Sequence, residues 1–503
     1  MSKTTILYKD IAPGAAEGAS VAATQASAFS DPTMLAEEGR YVSQIATLEP
    51  NAWTLDGLQK LYADDVEPYW SASLSGEDCV LDPAPVITLT LDGQYTSLGV
   101  TLLFDTGAYG GYCSEVLIDW YRDGALLTEK AFTPNAGVYF CRTTVERFDK
   151  IEITLNKTAL PKRYAKLSQV VIGVNRVFDM SQIRSAKIIA QTDLLAAGLP
   201  VGTLEFVLDS AEDIEYIFQE RQPFEVRCSG FGQQEESETT VGIYYLSSVK
   251  RISKHTYSIS AEDAIGVLDA DADYPGGIYN SYPARNIIAK IVGGQFDIVY
   301  DLEDTAIIDQ RLTGALLGAT RREALQQVLF AVGACAAADS GDAIRIFSPS
   351  SVSESIDSDY VYIGASVDTS AVVTAVKVTA HTYTESANGN VSIDGVRYDD
   401  TETVYTIENP NVTANTKPNV IEITDATLVS AANGQAVAQR VYNHYAKRDT
   451  ARAKIVWRGE KLGDAVTLPN PWGGTNAGNI VRMDLTLSNT IAADLDVLGC
   501  RMY

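Results

Sequence analysis

A period of two runs through most of this chain, and no other feature limits the fold as strongly. It is plainest in Tyr244–Tyr279. Tyr257, Ile259 and Ala261 are apolar, with polar Ser258 and Ser260 between them. Successive residues of a strand point to opposite faces, so this is the pattern of a strand with one buried side. Two strand-like runs in this stretch are joined by a basic turn. Ala264, Ile265 and Leu268 follow at helical spacing, and Pro275, Gly276 and Gly277 make a turn. No pattern in it points to an active site, and it reads as scaffold.

The same alternation divides the chain. A single core stops growing near roughly 250–300 residues, so 503 residues call for several domains. Residues 1–79 form an N-terminal arm and lead-in, with a strand near Thr4–Tyr8 and a short helix or loop over Trp53–Tyr69. Residues 80–178 are all strand: Val86–Asp92, Leu98–Asp105, Glu115–Gly124 closing on an Asp-Gly turn, then four more runs. Turn signals at this spacing predict a β-sandwich, jelly-roll-like. Residues 179–282 continue with Ile183–Ala190, Thr203–Leu208, Phe224–Phe231 and Val241–Tyr245, enough for a small closed barrel. Residues 283–350 form an α/β connecting domain. Its clearest helix is Thr320–Ala338, where Thr320 and Glu323 make a capping box. Residues 351–503 return to strands around a helix over Ala426–Tyr445. The fold class is mainly β with some α.

The formal net charge of −26 excludes one class of function. Neutralising phosphates needs surplus Lys and Arg, so stable nucleic-acid binding and docking on an anionic membrane are not expected. No run of eighteen apolar residues occurs, so no helical membrane span is expected, and the first residues lack a signal-peptide pattern. A cytoplasmic start follows. Six cysteines lie far apart with no CxxC pair. They read as small buried apolar groups, although spacing alone allows a Cys113–Cys141 disulfide.

Chemistry-bearing patterns are scarce. His255, His381 and His444 lie far apart, without metal-ligand spacing, and read as structural. No nucleophile-elbow, zinc-protease, dinucleotide or P-loop motif occurs. The adjacent pairs Asp64–Asp65 and Asp399–Asp400 point to opposite faces of a strand, so neither is set for acid and base roles. Asp269, Asp271 and Asp273 are spaced like the start of a calcium loop but lack its glycine turn and closing Glu. No catalytic residue, cofactor or metal is expected, and no enzyme activity. One binding surface is a candidate: Trp120, Tyr121 and Arg122 beside the Asp123-Gly124 turn, with Tyr109 and Tyr112 near. Aromatic faces beside polar loops stack on sugars, although Trp120 alternates with Ile118 and also fits a core position.

Several stretches together resemble the hub proteins of phage tails and contractile injection systems, also called baseplate hub or tail-associated proteins. They are FEVRCSGF, GIYYLSSVKRISKHTYSISAEDAIGVLD, YPGGIY, TRREALQQVLFAVGACAAADSGDAIRIF and the closing VWRGEKLGDAVTLPNPWGGTNAGNIVRMDLTLSNTIAADLDVLGC. The N-terminal SLGVTLLFD, YCSEVLIDWYRDG and PKRYAKLSQVVIGV look like a sandwich module carried ahead of the hub fold. The resemblance implies two tube-like β-barrels, 179–282 and 351–503, and a homotrimer whose six barrels make a pseudo-sixfold ring joining the tail tube to the tip. It implies partners in the tail tube, distal tail proteins and a tip fibre, spike or tape-measure protein. The place implied is the virion tail tip, assembled in the host cytoplasm. With the chain stopping at Tyr503, a tip enzyme or fibre would be another protein. Two alternatives stay open: a tail-tip adhesin binding a host-surface glycan through the 80–178 sandwich, and a cell-wall glycan hydrolase.

Overall fold

The structure is a computed structural model that describes residues 3–11, 15–16, 18–36, 45–47, 49–50, 52, 67–105, 111–211, 214, 217–229, 238–270, 273–338, 343–351, 353–393, 395–413, 415–470, 472–488 and 491–502. Most of Trp53–Tyr69, together with Asp64, Asp65, Tyr109 and Asp271, lies outside them. The chain is mainly β with few helices. It divides into two compact units: Tyr8–Val177, and Phe178–Tyr503 with Met1–Leu7.

The strand expected near Thr4–Tyr8 is β1 (Lys3–Ile11). In the Tyr8–Val177 unit follow β2 (Ser20–Ala23), β3 (Tyr69–Trp70), β4 (Val86–Phe104), β5 (Cys113–Arg122), β6 (Ala125–Phe132), β7 (Val138–Thr158) and β8, whose Lys166–Asp179 crosses the boundary. The strands run β6–β5–β7–β4–β8–β3, with β2 on the first half of β4, and these pairings are antiparallel. The Asp-Gly turn forms as expected: Asp123 and Gly124 have φ of 49° and 78°, the left-handed pair of a two-residue hairpin. Two expectations change. Val86–Asp92 and Leu98–Asp105 are one strand, as are the two runs of β7. Bulges between Thr90 and Gly99 carry β4 through a polar middle without breaking it. Gly99 makes this work, because a Cβ there would lie 2.3 Å from the Cys141 carbonyl oxygen. The alternating inward residues Ile87, Leu89, Val116, Ile118, Trp120, Ile151 and Ile153 form the core.

In the other unit, β9 (Ile183–Gln191), β10 (Thr203–Asp209), β11 (Pro223–Ser229), β12 (Glu238–Ser253) and β13 (Thr256–Glu262) pair antiparallel in the order β11–β12–β13–β10–β9. The Tyr244–Tyr279 stretch supplies most of β12, all of β13, and α1 (Ala264–Val267). Then come β14 (Gly277–Pro283), α2 (Ala284–Val292), β15 (Asp297–Asp301), α3 (Ala306–Asp309), β16 (Arg311–Leu316), α4 (Arg321–Val332), β17 (Cys335–Ala337) and β18 (Ala343–Phe347). The capping box at Thr320 and Glu323 is present. The helix ends earlier than its spacing suggests. Gly333 adopts φ 84° and caps α4, and the small residues after it turn into β17, paired with β18.

The rest comprises β19 (Ser353–Ser355), β20 (Ser366–Thr369), β21 (Ala375–Glu385), β22 (Val391–Ile393), β23 (Val396–Glu408), β24 (Val420–Ile423), α5 (Gly434–Ala446), β25 (Asp449–Val456), β26 (Ala465–Pro469), β27 (Thr475–Leu487) and β28 (Ala492–Met502). The helix expected over Ala426–Tyr445 starts only at Gly434. A separate sheet, β22–β23–β21–β24, packs with α2, α4 and α5 on a core including Ile287, Leu325, Leu329, Val376, Val378 and Val437. The remaining strands run β20–β25–β28–β27, and on its other edge β27 pairs first with β26, which carries β19, and then with β9. Strands β9–β13 and strands β20 and β25–β28 therefore belong to one continuous sheet.

Four of the six cysteines are buried as expected, whereas Cys79 is half-buried and Cys500 is exposed. Cys113, Cys141, Cys228 and Cys335 are buried and unbonded, and the disulfide that spacing allowed is not formed. Burial pushes the Cys113 thiol up to about 12, where it is inert.

Candidate functional site

The seam between β9 and β27 shows how the two strand regions are held. Inward residues Ile188, Ala190, Met483 and Leu485 are buried, so the neighbouring positions share the opposite, polar face. On that face Glu205 lies opposite both Ser260 and Lys187, and Asp484 lies opposite Asp494. Like charges directly opposed cost stability unless each has its own counter-ion. Here Asp484 receives Lys187 at 2.8 Å and Arg482 at 2.9 Å, and Asp494 has Lys454 at 3.9 Å. Arg452 reaches Asp496 at 3.3 Å and Asp368 at 3.4 Å. The face is a lattice of alternating charges.

Asp484 anchors this lattice. Burial alone would raise its carboxyl, but the hydrogen bonds from Arg482 and Lys187 outweigh it and hold the group below the usual carboxylate range. A carboxyl lowered in the folded state contributes stability above its unfolded pKa of about 4, and that contribution is lost as pH falls through the folded value. We expect acidification below about pH 4 to loosen the β9–β27 seam by roughly 1 kcal/mol or less, read as faster amide exchange in both strands. Asp484→Asn is expected to start loosened at neutral pH and to lack this loss.

Of the five proposed sugar-contact residues, the four that are described do not lie on one face. Trp120 is fully buried, edge-on to Phe132 at 6.4 Å, and offers no face to a sugar. Tyr121 is on the outer face, where the Lys150 ammonium sits 3.9 Å over its ring and its hydroxyl donates to Glu152 at 3.0 Å. Arg122 is half-buried beside the turn. Tyr112 packs against the sandwich core, and Tyr109 lies outside the described residues.

Of the histidines, His255 is in the turn between β12 and β13, not in a strand, with Nδ1 3.2 Å from the Ser210 carbonyl. His444 is in the last turn of α5, and burial holds it below the usual imidazole range. His381 is different. Register places it opposite Glu402 on β23, two residues from Asp400, so all three share one face. His381 Nδ1 lies 2.8 Å from Asp400 Oδ2, and Nε2 lies 3.0 Å from the Thr424 carbonyl oxygen. The ligand atoms of the three lie within 4.8 Å of one another. Sequence spacing could not find this set, because strand pairing, and not proximity in sequence, brings it together.

No family model matches the chain, and no curated protein does. Solved structures are similar to it over about two thirds of its length. A tail protein from Neisseria meningitidis MC58 is 14% identical, with 64% of this chain and 94% of that one covered and a TM-score of 0.46. A 43 kDa tail protein of prophage MuSo2 from Shewanella oneidensis is 13% identical over 64% and 96%, with a TM-score of 0.43. The prophage tail protein gp18 from Listeria monocytogenes EGD-e is 11% identical over 63% and 91%, with a TM-score of 0.41.

Proposed function

We propose that the chain is a structural, non-enzymatic subunit of a phage tail tip or baseplate hub, acting as a homotrimeric pseudo-sixfold ring between tail tube and tip. One observation carries the reading. The described parts of the stretches that bear the hub resemblance in sequence, Phe224–Ser229, residues 244–270 and 273–279, and the closing strands, lie in or beside one sheet, joined through β10, β9 and β27. Residues 179–282 and 351–503 supply the two tube-like modules of each subunit, and residues 283–350 connect them. In this reading the chain shares with the three solved proteins a place in a tail. Its partners are further copies of itself, tube and distal tail proteins, and a tip fibre, spike or tape-measure protein.

Light-scattering mass and negative-stain imaging of the full chain test this. A three-chain mass and rings with a central opening are expected. A strict monomer at high concentration, alone and with purified tail tubes, would overturn the ring.

The adhesin reading keeps one foothold. Tyr121 remains on the outer face of the sandwich, with half-buried Arg122 next to it at the Asp123-Gly124 turn. Glycan-array binding that is lost in Tyr121→Ala, with the fold intact, would support it.

A further inference from the structure

We infer that His381, Asp400 and Glu402 form a binding site for a divalent transition-metal ion of the zinc class. The inference starts from Thr424. Its carbonyl oxygen only accepts, so the nitrogen facing it, Nε2 of His381, carries a proton. In the neutral ring Nδ1 then presents a lone pair. That lone pair points at a carboxylate, Asp400 Oδ2, 2.8 Å away. Two electron-rich atoms at that separation repel unless a positive centre lies between them.

Among the described residues no Lys or Arg pairs with Asp400 or Glu402. Tyr383 stacks on His381 with ring centroids 6.1 Å apart. Asp400 Oδ1 is buried without a hydrogen-bond partner. A divalent ion would neutralise both carboxylates, take the His381 lone pair and engage the orphaned oxygen. A metal-bound imidazole characteristically gives its other N–H to a backbone carbonyl, which is the role Thr424 already fills. One nitrogen and two carboxylates suit zinc better than an all-oxygen cation. The side chain of His381 is 6% exposed, whereas Glu402 is at the surface, so the ion has an entry side and a fourth position for water. Its effect would be to tie β21 and β23 together, with Thr424 holding the segment after β24.

The full chain, stripped with chelator and dialysed against Zn²⁺, tests this by elemental analysis and thermal melting. We expect about one zinc per chain and a higher Tm, with affinity reduced on the order of 10-fold or more in Asp400→Asn and in Glu402→Gln. Glu402 is exposed, so its variant should fold even if the other does not. A Cys500→Ser background removes the exposed thiol. No zinc uptake at millimolar concentration, uptake unchanged by Glu402→Gln, or uptake lost only in Cys500→Ser would each overturn the site and leave a protonated His381–Asp400 pair.

Discussion

Trp120→Ala is expected to destabilise the Tyr8–Val177 unit by about 3–5 kcal/mol, the range for deleting a large buried aromatic. Trp120 is fully buried in the sandwich core, beside Phe132 and among the inward residues of β5 and β7. Truncation leaves a cavity that long, paired strands cannot collapse around without breaking their ladders. The indole Nε1 adds a second expectation, because it is buried without a hydrogen-bond partner. Trp120→Phe removes that unpaired donor as well as some volume, so it should cost less than half as much as alanine. Amide exchange resolved along the chain is the measurement, since a two-unit protein need not unfold in one step. Loss of protection confined to Tyr8–Val177 is expected. If Trp120→Ala melts like the parent, the ring is not core. The comparison also separates two accounts of the 80–178 region. Tyr121→Ala, on the outer face, should change stability little, so any glycan binding it removes is not a folding effect.

How much of this was legible before the structure depends on distance along the chain. Local patterns carried well: the Asp123-Gly124 turn, the Thr320 capping box and the alternation of β13 all form where their residue types require. Breaks were harder to place. The small residues after Gly333 look like more helix, because alanine favours helices, yet a left-handed glycine ends α4 and β17 finds a partner in β18. Long-range contacts left no local trace. The Lys187–Asp484 contact joins residues 297 positions apart, and nothing in either strand's alternation names its partner. The His381 set follows the same logic: the residues were visible, but only the register of β21 against β23 makes them neighbours. Trp120 shows the converse. Its alternation with Ile118 identified the core position, and its aromatic neighbours suggested a binding surface; burial decides between them.

Asp263→Ala is expected to remove on the order of 3–5 kcal/mol from the Phe178–Tyr503 unit, because it strands three backbone donors at once. The Asp263 carboxylate accepts from Gly202 N at 2.7 Å, Ile265 N at 3.0 Å and Gly266 N at 3.1 Å, and the side chain is buried. Its own backbone N–H returns a bond to the Gly202 carbonyl at 2.9 Å. The residue thus caps α1 and pins the start of β10 to the end of β13. Gly202 is required for the approach, since a Cβ there would lie 2.6 Å from Asp263 Oδ2. Asp263→Asn tests the account, because it keeps one carbonyl oxygen for Ile265 and Gly266 but turns an amide N–H₂ toward the Gly202 donor. It should cost clearly less than alanine. Burial pushes the Asp263 carboxyl up to about 7, and the three N–H donors, which favour the charged form, limit the rise. A carboxyl raised in the folded state contributes fully below its unfolded value near 4, and that contribution is lost as pH rises through about 7. The stability gap between the parent and Asp263→Asn should therefore narrow from pH 4 to 8 in denaturant melts. A gap that widens over that range would mean the three donors outweigh burial, leaving the carboxylate charged throughout.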